Sequence, residues 1–473
     1  MFHWNGRGDR PALLTEKDVW SYERLTEEAD GIAAYVGRRC LVFLLAENVP
    51  EAIAGYVGFL SHGIVPVMVD AALDAELLAE LVVRYRPSFI WTPQARKAEF
   101  VGAEGAFSLG DYLLLDRREA APFPLAEELA LLMTTSGSTG SPKLVRQSYA
   151  NLEANTASII EYLHITPEER AITNLPLHYV YGLSILNTYL TAGASLVVTE
   201  KSFFSREFWR LMREQRVTSL GGVPYTYAML KRLRFFQMDL PALRTLTQAG
   251  GKLDPELHAA FAEDCAQKGR RFFVMYGAAE ATARMGYLPA ELACAKVGSM
   301  GKAIPGGRFE LLDDAGKIVT EAGRIGELVY YGDNVTMGYA TSGKDLSRGD
   351  ERQGRYVTGD LAKFDADGIY TIVGRKKRFL KIFGKRTNLE EVEHILRRWL
   401  AETGSSAEVA CAGVDDHLYV FVTDGAMAGK VVPYLSSKLG LHFSAFAAKF
   451  IPALPKSASG KTLYRELEQY YDV

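Results

Sequence analysis

The segment Thr134-Thr-Ser-Gly-Ser-Thr-Gly-Ser-Pro-Lys143 joins hydroxyl side chains, two glycines and a lysine directly after an apolar run. These residue types suit an oligophosphate. Glycine lets backbone N–H groups approach phosphate oxygens, hydroxyls donate hydrogen bonds, and Lys143 brings a positive charge. A Ser/Gly linker has a similar composition, but linkers are not fused to an apolar strand and closed by Pro-Lys. The GxxxxGK[ST] loop needs glycine where Pro142 stands, so this is a different phosphate loop. Gly460-Lys-Thr462 fails the same pattern at Pro455, and the GxSxG elbow fails because Ser136, not glycine, stands two residues before Ser138.

Such a loop needs layers to hold it. Helical patterns alternate with short apolar strands through the first three-quarters of the chain. Residues 51–61 predict a helix and 64–70 a strand; 129–135 and 272–276 are apolar runs that end in Gly-containing turns. This alternation predicts α/β layers. After about residue 322 the pattern changes to strands over 325–331, 356–365 and 369–373, the last two joined by a turn at 365–368. A helix follows, with Asn388 as N-cap and Glu391 three residues on in a capping-box pattern. Leu389, Val392, Leu396 and Trp399 share one face of it. The expected division is a large unit of layered α/β subdomains, residues 1–377, and a small mobile α+β unit, residues 378–473.

The bulk numbers narrow the classes. The chain has 473 residues, 48% apolar and 23% charged, with a net charge of −3. That is ordinary globular composition with ample core material, and nothing in the balance calls for nucleic acid. The four cysteines, Cys40, Cys265, Cys294 and Cys411, are scattered, as expected of free thiols in a reducing compartment. The apolar stretch 53–69 is broken by His62, Gly63 and Pro66, so no membrane span is expected. The start lacks a signal-peptide pattern, and a cytoplasmic protein is the expectation.

TSGSTGSPK resembles the signature loop of the adenylate-forming superfamily: acyl-CoA synthetases, luciferases and peptide-synthetase adenylation domains. Further segments resemble the family's other motifs in order. In the loop, the resemblance implies nucleotide contacts from Thr135, Ser136, Gly137, Ser138, Thr139 and Gly140. Leu175-Pro-Leu-His-Tyr-Val-Tyr-Gly182 is similar to the segment beside the acyl pocket and implicates His178, Tyr179 and Gly182. The amino-acid-activating branch often carries an Asp near here. None lies between Asn174 and Thr191, which argues against an α-amino acid. Gly250 and Gly251, in Gln248-Ala-Gly-Gly-Lys252, resemble a turn along the adenine. Tyr276-Gly-Ala-Ala-Glu280 resembles Tyr-Gly-x-Thr-Glu. It implies that Tyr276 stacks on adenine, that Gly277 and Ala279 line the nucleotide, and that Glu280 holds Mg2+, a hard cation that prefers carboxylate oxygen. Ala279 departs from the family's Thr, whose hydroxyl would contact the α-phosphate; Thr282 is displaced by three residues. Asp360 in Tyr356-Val-Thr-Gly-Asp360 resembles the ribose carboxylate, and Arg375 the arginine near ribose and phosphate. Arg378 aligns with a hinge position that carries Asp or Lys. Gly384 matches a glycine of the pantetheine tunnel. Lys461, in Pro455-Lys-Ser-Ala-Ser-Gly-Lys461, matches the catalytic lysine.

The resemblance implies two half-reactions. A carboxylate attacks the α-phosphate of ATP and pyrophosphate leaves; a thiol then attacks the acyl-adenylate and AMP leaves. Lys461, Glu280 and Lys143 are the expected catalytic set, acting by positioning and electrostatics. Rotation of the small unit about Arg378 would exchange Lys461 for the Gly384 face. The expected cofactors are ATP, Mg2+ and the thiol of CoA or phosphopantetheine. The expected partners are a small carboxylic acid and CoA or a separate acyl carrier protein, since no carrier segment follows Lys461. A homodimer is left open. Transfer to an amine and a degenerate nucleotide-binding protein with little turnover are the alternatives, the latter motivated by Ala279.

Overall fold

The computed structural model describes residues 7–117, 121–134, 143–382, 385–414, 416–456 and 461–471. The phosphate-loop positions Thr135, Ser136, Gly137, Ser138, Thr139 and Gly140, and the tunnel position Gly384, lie outside the described residues.

Among the described residues, two large sheets form the body. One has eight strands and the other nine. The middle strands of both are parallel and read as near-continuous apolar runs, because helices cover both faces. Leu41–Ala46 (LVFLLA) is buried at every residue, and Val65–Asp70 at all but the last. The predicted helix and strand are observed as Pro50–Ser61 and Val65–Asp70, and the apolar runs as Leu129–Thr134 and Arg271–Tyr276.

Local chemistry sets the helix ends near the site. Ser148 caps the helix Tyr149–Leu163 in a reciprocal capping box with Asn151 (3.1 and 2.9 Å), an arrangement contributing about 1 kcal/mol. The Asn151 amide reaches on to the carbonyls of Asp333 (2.7 Å) and Val335 (2.8 Å), tying this helix to the later strand region.

A four-stranded antiparallel sheet follows: Arg308–Leu312, Gly326–Tyr331, Arg355–Phe364 and Tyr370–Arg375. Its register makes Asp360 and Arg375 direct cross-strand partners. After the 3-10 turn Lys376–Arg378, the core changes. Leu380, Leu389, Val392, Leu396, Val420, Val431 and Leu435 belong to an apolar cluster built wholly from this last part of the chain. It fills the space between the strands Val409–Val414, His417–Val422 and Phe446–Phe450 and the helices Leu389–Glu402 and Gly425–Leu439. Trp399 completes the predicted apolar face by stacking on Tyr434, with centroids 4.5 Å apart. Asn388 caps its helix as expected, but it accepts from the second helical N–H, Glu390 (2.9 Å), so this is a simple cap and not the predicted box through Glu391. The amide of Asn388 donates to Val373 O (2.7 Å), back in the four-stranded sheet.

Candidate active site

The site gathers where the strand Arg271–Tyr276 ends. Gly277 lets the chain fold back on itself: a Cβ there would lie 1.8 Å from Ala283 O. That close approach turns the short helix Ala279–Ala281 outward and sets Glu280. Tyr276 donates its hydroxyl to Asp360 Oδ2 in a short hydrogen bond, and Arg375 Nε stands 3.1 Å from Asp360 Oδ1. Asp360 is buried. Its burial raises the carboxyl's pKa, while Arg375 and the Tyr276 hydroxyl pull it down. An ionised carboxylate has about four acceptor sites, so two such donors leave room for vicinal hydroxyls such as those of a ribose.

Glu280 is held from both ends. Its Oε1 accepts from Tyr339 OH (2.6 Å). Its backbone carbonyl accepts from Thr336 N (3.0 Å), Thr336 Oγ1 (2.9 Å) and Arg352 Nη1 (2.9 Å). The carboxylate keeps lone pairs beyond the one Tyr339 occupies, and a hard cation such as Mg2+ fits that donor chemistry. Lys143 Nζ and the Arg352 guanidinium both lie over the Tyr339 ring, 5.5 and 4.7 Å from its centroid. Tyr339 is fixed in turn by Arg146, which is fully buried and donates to the Tyr339 (3.2 Å) and Met337 (3.1 Å) carbonyls and to Glu351. The strand that leaves the phosphate loop is thereby locked to the strand bearing Tyr339.

Lys461 arrives from the other end of the chain. It keeps contact with solvent. The protein packed around its ammonium lowers its pKa below the usual lysine value, Arg375 lowers it further, and Glu280 opposes both. Glu280, Arg375 and Lys461 therefore share one electrostatic environment, with Asp360 and Tyr276 beside it. A site of alternating charge suits electrostatic stabilisation of negative charge at phosphate.

At the acyl side, Gly250 has φ +86°, and a Cβ there would stand 2.5 Å from Tyr179 OH. Gly251 sits against Pro224. His178 Nε2 is 3.6 Å from Asp70 Oδ2, and its Nδ1 is buried without a hydrogen-bond partner among the described residues. Burial lowers the His178 pKa, with Asp70 and the Ala46 backbone opposing. Gly182 has a packing reason: a Cβ would fall 2.2 Å from Pro176 O, so glycine lets the helix Val180–Ala192 close onto the His178–Tyr179 turn.

Two sequence expectations gain a specific geometry. Thr282 does not replace the missing hydroxyl at Ala279. It is buried, with φ +64°, and its hydroxyl donates to Asn334 O (2.7 Å). Arg378 is engaged within the last part of the chain: its Nη2 meets Glu393 Oε1 at 2.6 Å and its Nη1 donates to Cys411 O at 2.9 Å. Arg146, Tyr339 and Arg352 carry no motif signal of their own, apart from the Gly-Tyr turn that contains Tyr339.

The fold and the site together are those of an AMP-binding enzyme. The chain belongs to the family of AMP-binding enzymes, whose model matches residues 2–340. It is 28% identical to a component of the linear gramicidin synthase of Brevibacillus parabrevis over 97% of this chain and 9% of that one. It is 29% identical to sulfoacetate–CoA ligase of Cupriavidus necator over 73% of this chain and 68% of that one. The chain thus spans a small part of the first relative and about two thirds of the second. Its fold is that of O-succinylbenzoate CoA synthetase (MenE) from Bacillus subtilis in complex with ATP and magnesium ion. The TM-score is 0.76, with 24% identity and 97% of each chain covered. No helix among the described residues is long and apolar enough to cross a membrane.

Proposed function

We propose that this protein is an AMP-forming acid–thiol ligase: it activates a carboxylic acid with ATP and passes the acyl group to CoA. The observation that carries this reading is the buried Asp360 carboxylate held by Tyr276 and Arg375, where the charges of Arg375 and Glu280 reach Lys461 from the last part of the chain. Asp360 receives the ribose hydroxyls and Tyr276 borders the base. The phosphate loop with Lys143, and then Lys461, neutralises charge as the substrate carboxylate attacks the α-phosphate. Mg2+, held through Glu280, would lower the charge on the departing pyrophosphate. The division at residues 377–378, with the second unit mobile about it, follows the change of core at this point. Its rotation would withdraw Lys461 for thioester formation. The cytoplasm is the proposed location.

The acceptor has one alternative, pantetheine on a separate carrier protein. It is kept by the gramicidin synthase match, which runs over more of this chain than the ligase match does. ATP–pyrophosphate exchange over a panel of aliphatic and aromatic acids tests the first half-reaction. Mass spectrometry after adding CoA or a carrier protein tests the second. Exchange with at least one acid and a CoA thioester are expected; no exchange with any acid overturns the reading.

A further inference from the structure

Arg284 stands four residues after Glu280 and is 2% exposed. Its Cα faces Gly277, 3.1 Å from where a Cβ of that residue would be. Its guanidinium carbon lies 4.0 Å from the centre of the Tyr181 ring. Its charge also reaches Tyr162 and Tyr179, opposing the burial that raises their pKa values. Tyr179 is the residue packed against Gly250 on the acyl side. Arg284 therefore sits between the loop that sets Glu280 and the expected acyl pocket.

What surrounds it does not neutralise it. Among the described residues, no carboxylate lies within 4.0 Å of its nitrogens, and its Nε is buried without a hydrogen-bond acceptor. The nearby phenols bring no negative charge: Tyr181 OH donates to Thr247 O (2.8 Å), and the Tyr162 hydroxyl, which lies beside Arg284, donates toward Met275 Sδ (3.1 Å). The other fully buried arginine of the described residues, Arg146, has a carboxylate in Glu351, and so does the largely buried Arg378 in Glu393. Burying an unpaired guanidinium is costly, and aromatic stacking offsets part of that cost. A planar five-donor fork without a carboxylate, beside the segment expected to line the acyl pocket, is suited to a carboxylate from outside the chain.

We propose that the acid activated by this enzyme carries a second anionic group, and that Arg284 is the specificity residue that receives it. The first carboxylate reacts near Lys461 while the second docks on Arg284. A substrate lacking the second charge leaves the guanidinium buried and unpaired, which disfavours it strongly. This rests on the adenylation reading above and narrows its substrate class.

Pyrophosphate exchange with dicarboxylic acids from malonic to adipic and with aromatic diacids, each beside its monomethyl ester, is the test. Each ester keeps one reactive carboxylate and nearly the same shape. The expected result is a kcat/KM at least roughly 50-fold higher for one diacid than for its ester. In Arg284→Gln that ratio falls to near one, chiefly through the KM of the diacid, and Arg284→Lys restores part of it. AMP binding by calorimetry and a thermal melt report whether each variant is folded; if Arg284→Gln fails to fold, the wild-type ratio decides alone. Monoesters or simple monoacids that match every diacid overturn the second-anion proposal and leave adenylation standing. No exchange with any acid overturns adenylation itself.

Discussion

The guanidinium carbon of Arg378 lies 3.6 Å from the centre of the Tyr464 ring, three residues beyond Lys461. Both residues meet on Glu393. Arg378 Nη2 bonds its Oε1, and Tyr464 OH donates to its Oε2 at 3.1 Å. Glu393 is itself buried and also accepts from Cys411 N (2.8 Å). The segment that follows the four-stranded sheet and the segment that bears Lys461 are thus pinned to one buried carboxylate.

Breaking that knot should loosen the small domain and misplace Lys461 together. Arg378→Ala removes one of two arginines paired with buried Glu393, while Arg397 Nη2 stays 2.9 Å from its Oε2, so the cost falls below the about 3–5 kcal/mol of stranding a buried charge. A lower melting temperature is expected, with faster amide exchange over 389–471 and reduced pyrophosphate exchange. Arg378→Lys keeps the charge without the planar stack and should fall between. An Arg378→Ala protein with unaltered stability and amide exchange would refute the anchoring role.

Lys461→Ala should separate the two half-reactions. Loss of one charge-stabilising donor typically costs about 100- to 1,000-fold in rate, so acid-dependent pyrophosphate exchange should nearly vanish. Thioester formation from a supplied acyl-adenylate and CoA should persist, because that step does not use Lys461. Equal loss in both assays would instead mean that Lys461 holds the domain in place.

The pH dependence of adenylation follows from the charges around Lys461. Packing and Arg375 favour its neutral form, and catalysis needs the ammonium. The alkaline limb of the exchange rate should therefore begin below the ordinary lysine value of about 10.4. Arg375→Gln removes a repelling charge, so the limb should move to higher pH even though the overall rate drops. A limb that stays put, or moves down, contradicts this coupling.

Ala279→Thr should raise the adenylation rate. The Thr282 hydroxyl is committed to Asn334 O, so it does not supply the donor that alanine lacks. One restored hydrogen bond to the α-phosphate in the transition state is worth about 1–3 kcal/mol, or roughly 5- to 160-fold in kcat. Unchanged or lower kcat with the variant folded would show that position 279 does not face the phosphate.

Much of this protein was legible along the chain because its elements carry local signatures. Buried parallel strands such as Leu41–Ala46 are continuous apolar runs, and the helix Leu389–Glu402 announces itself by Asn388 and one apolar face. Glu280, Asp360 and Lys461 stand in glycine-bearing motifs whose residue types limit what chemistry they can do. Arg146 and Arg352 had no such mark. An arginine in a strand or loop reads as a solvated charge until packing shows that one is buried beneath Tyr339 and the other binds the Glu280 carbonyl.

The sequence by itself determined the class of chemistry, because phosphate loops, hard-metal carboxylates and a turn-borne lysine are properties of residue type and order. It also determined the strands and helices, whose periodicity is local. Only the tertiary structure decided which charges meet and which stay unmatched. Asp360 and Arg375 pair by sheet register, and Arg378 pairs with Glu393. Arg284 is sealed among tyrosines with no carboxylate of the described chain beside it. Burial and pairing depend on residues far apart in the chain, and the energy of a charge is set by those neighbours and not by its own position in the sequence.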